Sequence, residues 1–280
     1  MAKNLAKNAG KEAVEKFGWW RSHRFLILRR LCQIAVMVCF VAGPTWGILQ
    51  GNLSSSLLLG TVPLSDPLIV MQTIAAGHIP ELTVLAGAGI VIAFYLIVAP
   101  RVFCGWVCPM NIVTDAAAWL RRKMGLKASY RWSPQIRYWL IGVLLVGSAV
   151  TGTVLWVWLD PVATLHRGLV FGMGAGWILI ALVFIVDLLL VEHGWCGHLC
   201  PLGAMYGVIG RKSVIRVKAV RREDCDKCMD CFYVCPEPEI LRQPLKEGDR
   251  RVMSQNCISC GRCVDVCAEK VFEFKNRLDD

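Results

Sequence analysis

The sequence predicts a chain of two unlike parts. The larger is an all-α polytopic membrane domain of four transmembrane helices with a two-fold internal repeat, and the smaller is a C-terminal α+β domain. Apolar residues make up 55% of the 280 residues and gather in four long blocks that are almost free of charge. One cysteine motif occurs twice in the larger part, and eight further cysteines form two regular runs in the smaller one.

The two cysteine runs have the same spacing. They read Cys225-x-x-Cys228-x-x-Cys231-x-x-x-Cys235 and Cys257-x-x-Cys260-x-x-Cys263-x-x-x-Cys267. Three cysteines in a tight turn present three thiolates to one cluster, and the other run supplies the fourth. The spacing therefore predicts a bacterial-type ferredoxin domain with two [4Fe–4S] clusters over residues 224–280. The expected ligands are Cys225, Cys228, Cys231 and Cys267 for cluster 1, and Cys235, Cys257, Cys260 and Cys263 for cluster 2.

Disulfides and zinc are the alternative interpretations of these runs. Disulfides need no doubled register of this kind, and zinc sites usually take two pairs of ligands. Pro236 follows the first run, whereas Ala268 stands at the matching place after the second. This departure removes no ligand, so the iron–sulfur interpretation is the one we carry forward.

Four apolar blocks divide the rest of the chain. A bilayer-spanning helix needs about 20 apolar residues, which predicts spans at about 28–49, 80–100, 138–159 and 169–191. They lie in a membrane domain over residues 25–209, after a basic N-terminal arm (1–24) and before a linker (210–223). Asp187 interrupts the fourth block, as either an interface residue or a paired functional one.

The net charge of +10 has a topological explanation. Basic residues gather before the first block, between the second and third, and after the fourth, which is the positive-inside pattern. It predicts a multi-pass protein of the bacterial inner (cytoplasmic) membrane, with both termini in the cytoplasm and the lipid bilayer as a partner. Because the charge follows the predicted topology, nucleic-acid binding is excluded.

The repeated motif is an aromatic residue followed by Cys-Gly-x-x-Cys-Pro. Its cysteines are Cys104 and Cys108 in the first copy and Cys196 and Cys200 in the second. Two such motifs can converge to give four ligands for a further metal or cluster, work as redox-active dithiols, or simply pack as reduced cysteines. Two histidines flank the second copy and are further candidate ligands: His193 and His198.

Four stretches carry a resemblance to a known family. They are Gly18-Trp19-Trp20-Arg21-Ser22-His23-Arg24, Val191-Glu192-His193-Gly194-Trp195-Cys196-Gly197-His198, Cys228-Met229-Asp230-Cys231-Phe232 and Cys260-Gly261-Arg262-Cys263-Val264-Asp265-Val266-Cys267. Together with the paired motifs, they resemble the NapH/MauN family of membrane ferredoxin-type proteins over nearly the whole chain. The resemblance implies a quinol dehydrogenase subunit. It would pass electrons from the quinol pool through a periplasmic iron–sulfur partner, NapG, towards the periplasmic nitrate reductase.

Quinol oxidation releases two protons with two electrons, so its site needs a titratable acceptor. Five residues on the predicted outer side are candidates, none of them assigned: Asp66, His78, Asp160, His166 and Arg167. The predicted clusters lie on the opposite side, which makes the paired motifs the candidate relay. Two other functions stay open at this point: a membrane anchor or assembly factor, and a reductase that serves metal-site maturation.

Overall fold

The computed structural model describes residues 9–126, 132–172, 174–246 and 248–277. The first eight residues of the predicted basic arm, and part of the basic segment between the second and third apolar blocks, lie outside this description. The helices in chain order are α1 (Lys11–Phe17), α2 (Trp19–Ser22), α3 (Arg24–Val41), α4 (Gly43–Trp46), α5 (Pro67–Ala75), α6 (Leu82–Ile97), α7 (Val102–Trp106), α8 (Met110–Met124), α9 (Ile136–Thr151), α10 (Trp156–Leu159), α11 (Pro161–Phe171), α12 (Gly176–Leu189), α13 (Pro201–Ile209), α14 (Asp230–Val234), α15 (Arg242–Leu245) and α16 (Arg262–Asp265).

In the described part of the chain, five strands form two small antiparallel sheets. They are β1 (Leu49–Gly51), β2 (Ser55–Leu58), β3 (Val62–Ser65), β4 (Ile215–Ala219) and β5 (Phe272–Asn276). The first three pair in the order β1-β2-β3, and the last two pair with each other. Short 3₁₀ turns cover Gly210–Lys212, Arg222–Asp224 and Pro238–Leu241, and a π-type turn covers Trp195–Leu199.

The order of elements repeats along the larger part of the chain. Each half has a helix that starts at an Asp-Pro pair, then a longer apolar helix, a paired-cysteine motif and a further helix. In the first half these helices are α5, α6 and α8, and in the second they are α11, α12 and α13. In both pairs the Asp has an extended backbone and its side chain caps the helix that the Pro begins, which explains why both halves begin alike.

The prediction of four transmembrane helices is wrong. Within the described residues, no helix is long and apolar enough to cross a membrane. The longest, α3, has 18 residues and contains three arginines, while α6 and α9 have 16 residues each and α12 has 14. The multi-pass inner-membrane location, the cytoplasmic termini and the bilayer partner rested on these spans and are corrected with them.

Glycine and proline break the predicted spans. The first ends at α3 and gives way to the short α4, and the second stops before Pro100. Gly152 ends α9 with a left-handed φ of 66°, inside the predicted third span. Gly172 ends α11 with a φ of 92°, inside the predicted fourth. Apolar composition alone does not show such breaks, because a glycine inside an apolar block changes its hydropathy little.

Large apolar side chains are exposed along the longer helices of the described chain. They include Leu31, Ile34, Ile97, Val146, Phe171 and Ile178. Exposed apolar surface of this kind is typical of a surface that meets another molecule.

The C-terminal module forms its own core on the β4–β5 sheet. The strands pair from Ile215 opposite Asn276 to Ala219 opposite Phe272. Val217, Leu241 and Phe272 are buried there among the ferredoxin cysteines. Residues 210–223, predicted as a linker, thus contain a strand of this sheet. The amide of Ile215 also donates to the carbonyl of Val98 at 2.9 Å, which fixes the module to the end of α6.

Candidate functional site

The two ferredoxin runs bend at matching left-handed residues. Lys227 and Met229 in the first run have φ of 62° and 69°. Ser259 and Gly261, at the equivalent places in the second, have φ of 50° and 74°. Left-handed residues turn the chain sharply, so the cysteines on either side can face one point. A short helix follows each turn, α14 in the first run and α16 in the second.

The four cysteines predicted for cluster 1 lie together. Burial, together with the charges of Cys267, Cys228 and Cys225, raises the pKa of Cys231 to about 12. The Sγ of Cys267 accepts a hydrogen bond from the amide of Val271 at 3.4 Å. Neighbouring buried thiolates repel one another unless bound metal compensates their negative charge, so the donor set fits an iron–sulfur cluster.

The four cysteines predicted for cluster 2 line one small cavity. Burial raises the pKa of Cys263 well above its ordinary value, and the charges of Cys260, Cys235 and Cys257 raise it further. The charge of Cys231, from the other set, also reaches Cys263. The two sets are therefore neighbours, and each has four cysteines as a [4Fe–4S] cluster requires.

The paired-cysteine motifs fold into matching wide turns. The amide of Cys108 donates to the carbonyl of Phe103 at 2.9 Å, and the amide of Cys200 donates to that of Trp195 at 2.9 Å. Each bond spans five residues instead of the four of an α-helix, and π-type turns are frequent at functional sites. A new helix follows each second cysteine: Pro109 is the N-cap of α8, and Pro201 is the first residue of α13.

The four thiols of the paired motifs meet across the repeat. Burial raises the pKa of Cys108 well above its ordinary value, and the charges of Cys196, Cys104 and Cys200 raise it further. Burial, followed by the charge of Cys104, raises the pKa of Cys200 to about 12. We call these four residues the paired-cysteine centre. The structure thus brings together the motifs whose convergence the sequence left open.

Among the residues that the structure describes, no three His, Cys, Asp or Glu side chains are arranged to hold a single metal ion. In a [4Fe–4S] cluster the four thiolates bind the cluster from different directions and do not meet at one point. Four cysteine thiolates are soft ligands, which suit iron–sulfur chemistry.

A second small cavity lies between the paired-cysteine centre and the ferredoxin module. Cys104 and Cys196 line it from one side, and Glu237 and Ile258, next to ligands predicted for cluster 2, line it from the other. His193 lines it as well. Its Nδ1 is buried and has no hydrogen-bond partner within the described residues. Burial, followed by the charge of Arg262, lowers the pKa of His193 to about 3, so the ring is neutral near pH 7.

Buried charges fasten the ferredoxin loops to the paired-cysteine centre. Glu237 lies 3.0 Å from an Arg137 nitrogen and 3.6 Å from an Arg101 nitrogen, and all three side chains are at least 92% buried. Arg137 also donates to the carbonyl of Gly197 at 2.7 Å. Arg101 donates to the carbonyl of Asn256 at 3.0 Å. The second motif and both sides of cluster 2 therefore share one network, which we call the Glu237 junction.

The first motif packs directly on the second ferredoxin run. The indole Nε1 of Trp106 donates to the carbonyl of Ser259 at 2.9 Å. The hydroxyl of Ser259 in turn donates to the carbonyl of Pro100 at 3.2 Å. A Cβ atom added at Gly105 would lie 2.8 Å from the carbonyl oxygen of Ile258. The Gly in this motif is therefore required for the close approach of the two backbones.

Helix α3 braces the first motif from the other side. The buried amide of Gln33 donates to the carbonyl of Cys108 at 3.2 Å and to that of Gly105 at 3.4 Å. The guanidinium of Arg29 donates to Asn111 Oδ1 at 3.2 Å. These bonds satisfy the carbonyls of the motif and hold it against the ferredoxin module.

Asp66 and Asp160 cap the equivalent helices α5 and α11. They accept hydrogen bonds from the amides of Leu68 and Val162, each at 2.9 Å. Burial raises the pKa of Asp66 to about 7 and that of Asp160 to about 6. The charge of Asp160 acts on both Asp66 and Cys200. These two candidates from the sequence therefore lie near the paired-cysteine centre.

The other outer candidates have different surroundings. His78 is exposed, with its ring Nε2 at 3.3 Å from the carbonyl of Gly152. Arg167 is exposed as well. His166 is buried, and its ring packs edge-on against Phe40 with the ring centroids 4.8 Å apart. Among these candidates, Asp160 has a charge that acts on a thiol of the paired-cysteine centre, that of Cys200. The charge of Asp66 acts on the buried Tyr206, which packs in the same apolar cluster as Cys200.

Asp187 lies on α12 next to the second motif, and His198 lies within that motif. Asp187 is buried, and its Oδ1 accepts a hydrogen bond from the amide of Trp195 at 3.0 Å. Burial raises its pKa to about 7, and its charge is the first to add to the raised pKa of Cys196. Burial lowers the pKa of His198, while Glu237 acts in the opposite sense. The structure thus places Asp187 against the motif and gives it a structural partner there.

The residues of the junction were not singled out in the sequence. Arg101 and Arg137 appear there only as members of basic segments, and Glu237 and Gln33 have no motif. One signal is present: Arg101 stands directly before the first motif, and Glu237 directly follows the Cys235-Pro236 pair. A charge beside a predicted cluster ligand is a reason to look for a partner of opposite sign.

Two family models match the chain. A model described as a 4Fe-4S binding domain matches residues 81–127 and 173–222, each of which holds one paired-cysteine motif. A model described as a 4Fe-4S dicluster domain matches residues 217–268, which hold the two ferredoxin runs. No solved structure matches this chain.

Three curated relatives are similar over almost their whole length. The ferredoxin-type protein NapH of Haemophilus influenzae is 55% identical, with 99% of this chain and 98% of the relative covered. NapH of Escherichia coli K12 is 54% identical, with 98% and 97% covered. The methylamine utilization ferredoxin-type protein MauN of Methylorubrum extorquens is 44% identical, with 99% and 98% covered.

Proposed function

Because the chain belongs to the NapH/MauN family of ferredoxin-type electron transport proteins, we propose that it is the electron-transfer subunit of a quinol dehydrogenase. In this proposal it takes electrons from quinol and passes them towards periplasmic nitrate reductase through the iron–sulfur partner NapG. Two [4Fe–4S] clusters in the ferredoxin module and a third centre at the paired cysteines form the route.

The observation that carries the proposal is the contact between the paired-cysteine centre and the loops of cluster 2. Trp106 and Gly105 of the first motif touch the second ferredoxin run, and the Glu237 junction joins the second motif to it. Electron transfer slows steeply with distance, so centres separated by single side chains suit a relay. Iron–sulfur clusters with four cysteine ligands supply one-electron steps at each centre.

A third iron–sulfur centre is supported by two independent observations. The four thiols of the two motifs act on one another electrostatically, as expected for ligands of one group. The family model that matches each motif is that of a 4Fe-4S binding domain. Cys104, Cys108, Cys196 and Cys200 would be its ligands. Cys225, Cys228, Cys231 and Cys267 would hold cluster 1, and Cys235, Cys257, Cys260 and Cys263 would hold cluster 2.

Quinol gives up two protons, and buried carboxyl groups near the paired-cysteine centre are suited to accept them. A general base works best with a pKa near the working pH. Burial raises the pKa of Asp66 to about 7 and that of Asp160 to about 6. We therefore propose these two residues as the first proton acceptors.

A second candidate function is electron supply to a different acceptor system. The 44% identity to a methylamine utilization protein, over 99% of the chain, favours it. In that case the same centres would deliver electrons for maturation of a metal site or cofactor in another enzyme. The two functions share the donor and the relay, and differ in the protein that oxidises the relay.

Reduction by quinol separates these functions from a merely structural role for the clusters. Anaerobic purified protein is mixed with a menaquinol analogue, and cluster reduction is followed by electron paramagnetic resonance. We expect the clusters to be reduced, and then reoxidised once NapG, nitrate reductase and nitrate are added. If quinol reduces the clusters but NapG, nitrate reductase and nitrate do not reoxidise them, the second candidate function, electron supply to a different acceptor system, is favoured. Clusters that dithionite reduces but menaquinol does not, with or without NapG, would contradict both.

A further inference from the structure

The two cysteine sets of the ferredoxin module have unlike electrostatic surroundings. In the first set, the charges of Asp226 and Asp230 add to the raised pKa of Cys228, and Asp226 is exposed to solvent. Near the second set stand two arginines, Arg29 and Arg262, on which the negative charge of Cys260 acts. Negative charge thus faces one predicted cluster and positive charge the other.

Arg262 is placed by the cluster loop itself. It lies between Cys260 and Cys263, at the start of α16. Its guanidinium donates to the carbonyl of Val234 at 3.4 Å and forms an ion pair with Asp115. Only 13% of its side chain is exposed. The guanidinium is therefore fixed beside the loops that carry Cys235, Cys260 and Cys263.

Asp115 lies within ion-pair distance of three arginines from two different parts of the chain. Besides Arg262, it pairs with Arg30 and lies 3.9 Å from a nitrogen of Arg29, both on α3. Burial alone would raise the pKa of Asp115, but the charges of Arg262, Arg29 and Arg30 help to lower it to about 2. The carboxylate is therefore ionised, and three positive charges face one negative charge.

Position decides how strongly these charges act. Exposed charges such as Asp226 are screened by salt, whose Debye length is about 8 Å at physiological ionic strength. Arg29 is fully buried and Arg262 nearly so, and such charges act with much less screening. The positive group behind cluster 2 should therefore outweigh the acidic group beside cluster 1.

We propose that Arg262, held by Asp115, raises the reduction potential of cluster 2 above that of cluster 1. The electron then settles on the cluster that adjoins the paired-cysteine centre. Reduction adds one negative charge to a [4Fe–4S] cluster, and a fixed guanidinium stabilises that charge. Burial acts against reduction, so without Arg262 the more buried cluster 2 would be the harder of the two to reduce. The inference rests on the proposed cluster ligands and adds a positioning role for Arg262 and Asp115.

Redox titration of the full chain, followed by electron paramagnetic resonance, tests this role. In Arg262→Gln we expect the midpoint potential of cluster 2 to fall by about 59 mV or more, a tenfold change in the ratio of reduced to oxidised cluster. The potential of cluster 1 should move much less. Arg262→Lys keeps the charge and should restore most of the difference.

Asp115→Asn supplies a change of opposite sign. It removes the negative charge and leaves an amide oxygen for the arginines, so the midpoint potential of cluster 2 should rise. Structural damage would instead move both variants the same way or lower their iron content. Lys275→Gln, on the exposed edge of β5, removes a positive charge that solvent and salt screen, and should move either potential much less than Arg262→Gln moves that of cluster 2.

Iron and sulfide analysis keeps this inference separate from the proposed function. A wild-type protein reconstituted under reducing conditions that binds no iron–sulfur cluster would overturn the proposed function and its ligands. Clusters that are present, with equal cluster 2 potentials in the wild type and in Arg262→Gln, would overturn the inference alone. A shift of the same sign in Arg262→Gln and Asp115→Asn would overturn it as well.

Discussion

Arg101 and His193 hold equivalent positions in the two halves of the chain, each three residues before the first cysteine of a paired motif. Both have a left-handed backbone, with φ of 48° and 53°. Left-handed non-glycine residues cost about 1–3 kcal/mol each and cluster at functional sites. The side chains have diverged: Arg101 forms an ion pair with Glu237, whereas His193 lines the second cavity and its Nδ1 has no hydrogen-bond partner among the described residues. The two halves therefore keep the same backbone conformation at this position but differ in the side chain that faces the ferredoxin module.

The Glu237 junction predicts a large loss of stability when its charge is removed. Glu237→Gln leaves Arg101 and Arg137 buried without a counter-charge, which should lower the free energy of unfolding by about 3 kcal/mol. Denaturant unfolding under anaerobic conditions, followed by iron–sulfur absorbance, measures it. The control is Glu239→Gln, which breaks an exposed pair with Arg242 and should cost less than about 1 kcal/mol. Equal effects in the two variants would contradict the junction.

Substitution of Gly105 tests the contact between the first paired-cysteine motif and the second ferredoxin run by steric means. In Gly105→Ala the new methyl group meets the carbonyl of Ile258, so the motif and the ferredoxin loop must separate, at a cost of about 1–3 kcal/mol. Gly89→Ala on α6 is the control, since nothing lies within 4 Å of a Cβ there. It should stabilise the helix by about 0.5–1 kcal/mol. A Gly105→Ala protein as stable as the wild type would show that the two backbones do not approach.

The paired-cysteine centre predicts a defined loss of iron. Changing Cys104, Cys108, Cys196 and Cys200 together to Ser should remove about four iron atoms and four sulfides per chain, the content of one cluster. Iron and acid-labile sulfide assays measure this. The matched control changes the half-buried Cys32 and Cys39 of α3 to Ser and should leave both values unchanged. Iron content equal to the wild type in the fourfold variant would exclude a cluster there.

Asp66 predicts a pH dependence of stability with a definite sign. Its pKa is raised to about 7 in the folded protein, against about 3.9 when unfolded. The folded state therefore favours the neutral carboxyl, and this stabilisation, on the order of 4 kcal/mol, is full below about pH 4 and lost as the pH rises through 7. Asp66→Asn should flatten the unfolding free energy between pH 4 and 8. Glu12→Gln, on the exposed face of α1, should not. A slope that Asp66→Asn leaves intact would contradict this assignment.

Local spacing made the ferredoxin module predictable. The eight cysteines of the runs stand at fixed intervals, and the left-handed residues lie at matching places between them. The equivalent helices were also visible in outline, because Asp66-Pro67 and Asp160-Pro161 repeat. Both signals depend on residues that are close in sequence.

The parts that were missed depend on distant residues or on backbone breaks. Arg101 and Asn256 are 155 residues apart in sequence, and Arg137 and Glu237 are 100 apart. No local pattern joins them. The four spans were inferred from apolar content, which does not reveal the left-handed turns at Gly152 and Gly172. Hydropathy and backbone geometry are separate properties, and here the second sets the helix lengths.

The central claim is that electrons pass between quinol and the ferredoxin clusters through the paired-cysteine centre. Rapid mixing of anaerobic protein with a menaquinol analogue, with cluster reduction followed by absorbance and electron paramagnetic resonance, tests it most directly. In the wild type we expect both ferredoxin clusters to be reduced. With Cys104, Cys108, Cys196 and Cys200 all changed to Ser, the same clusters should be present and reducible by dithionite, yet should not be reduced by menaquinol. Reduction of that variant by menaquinol at the wild-type rate would contradict the account.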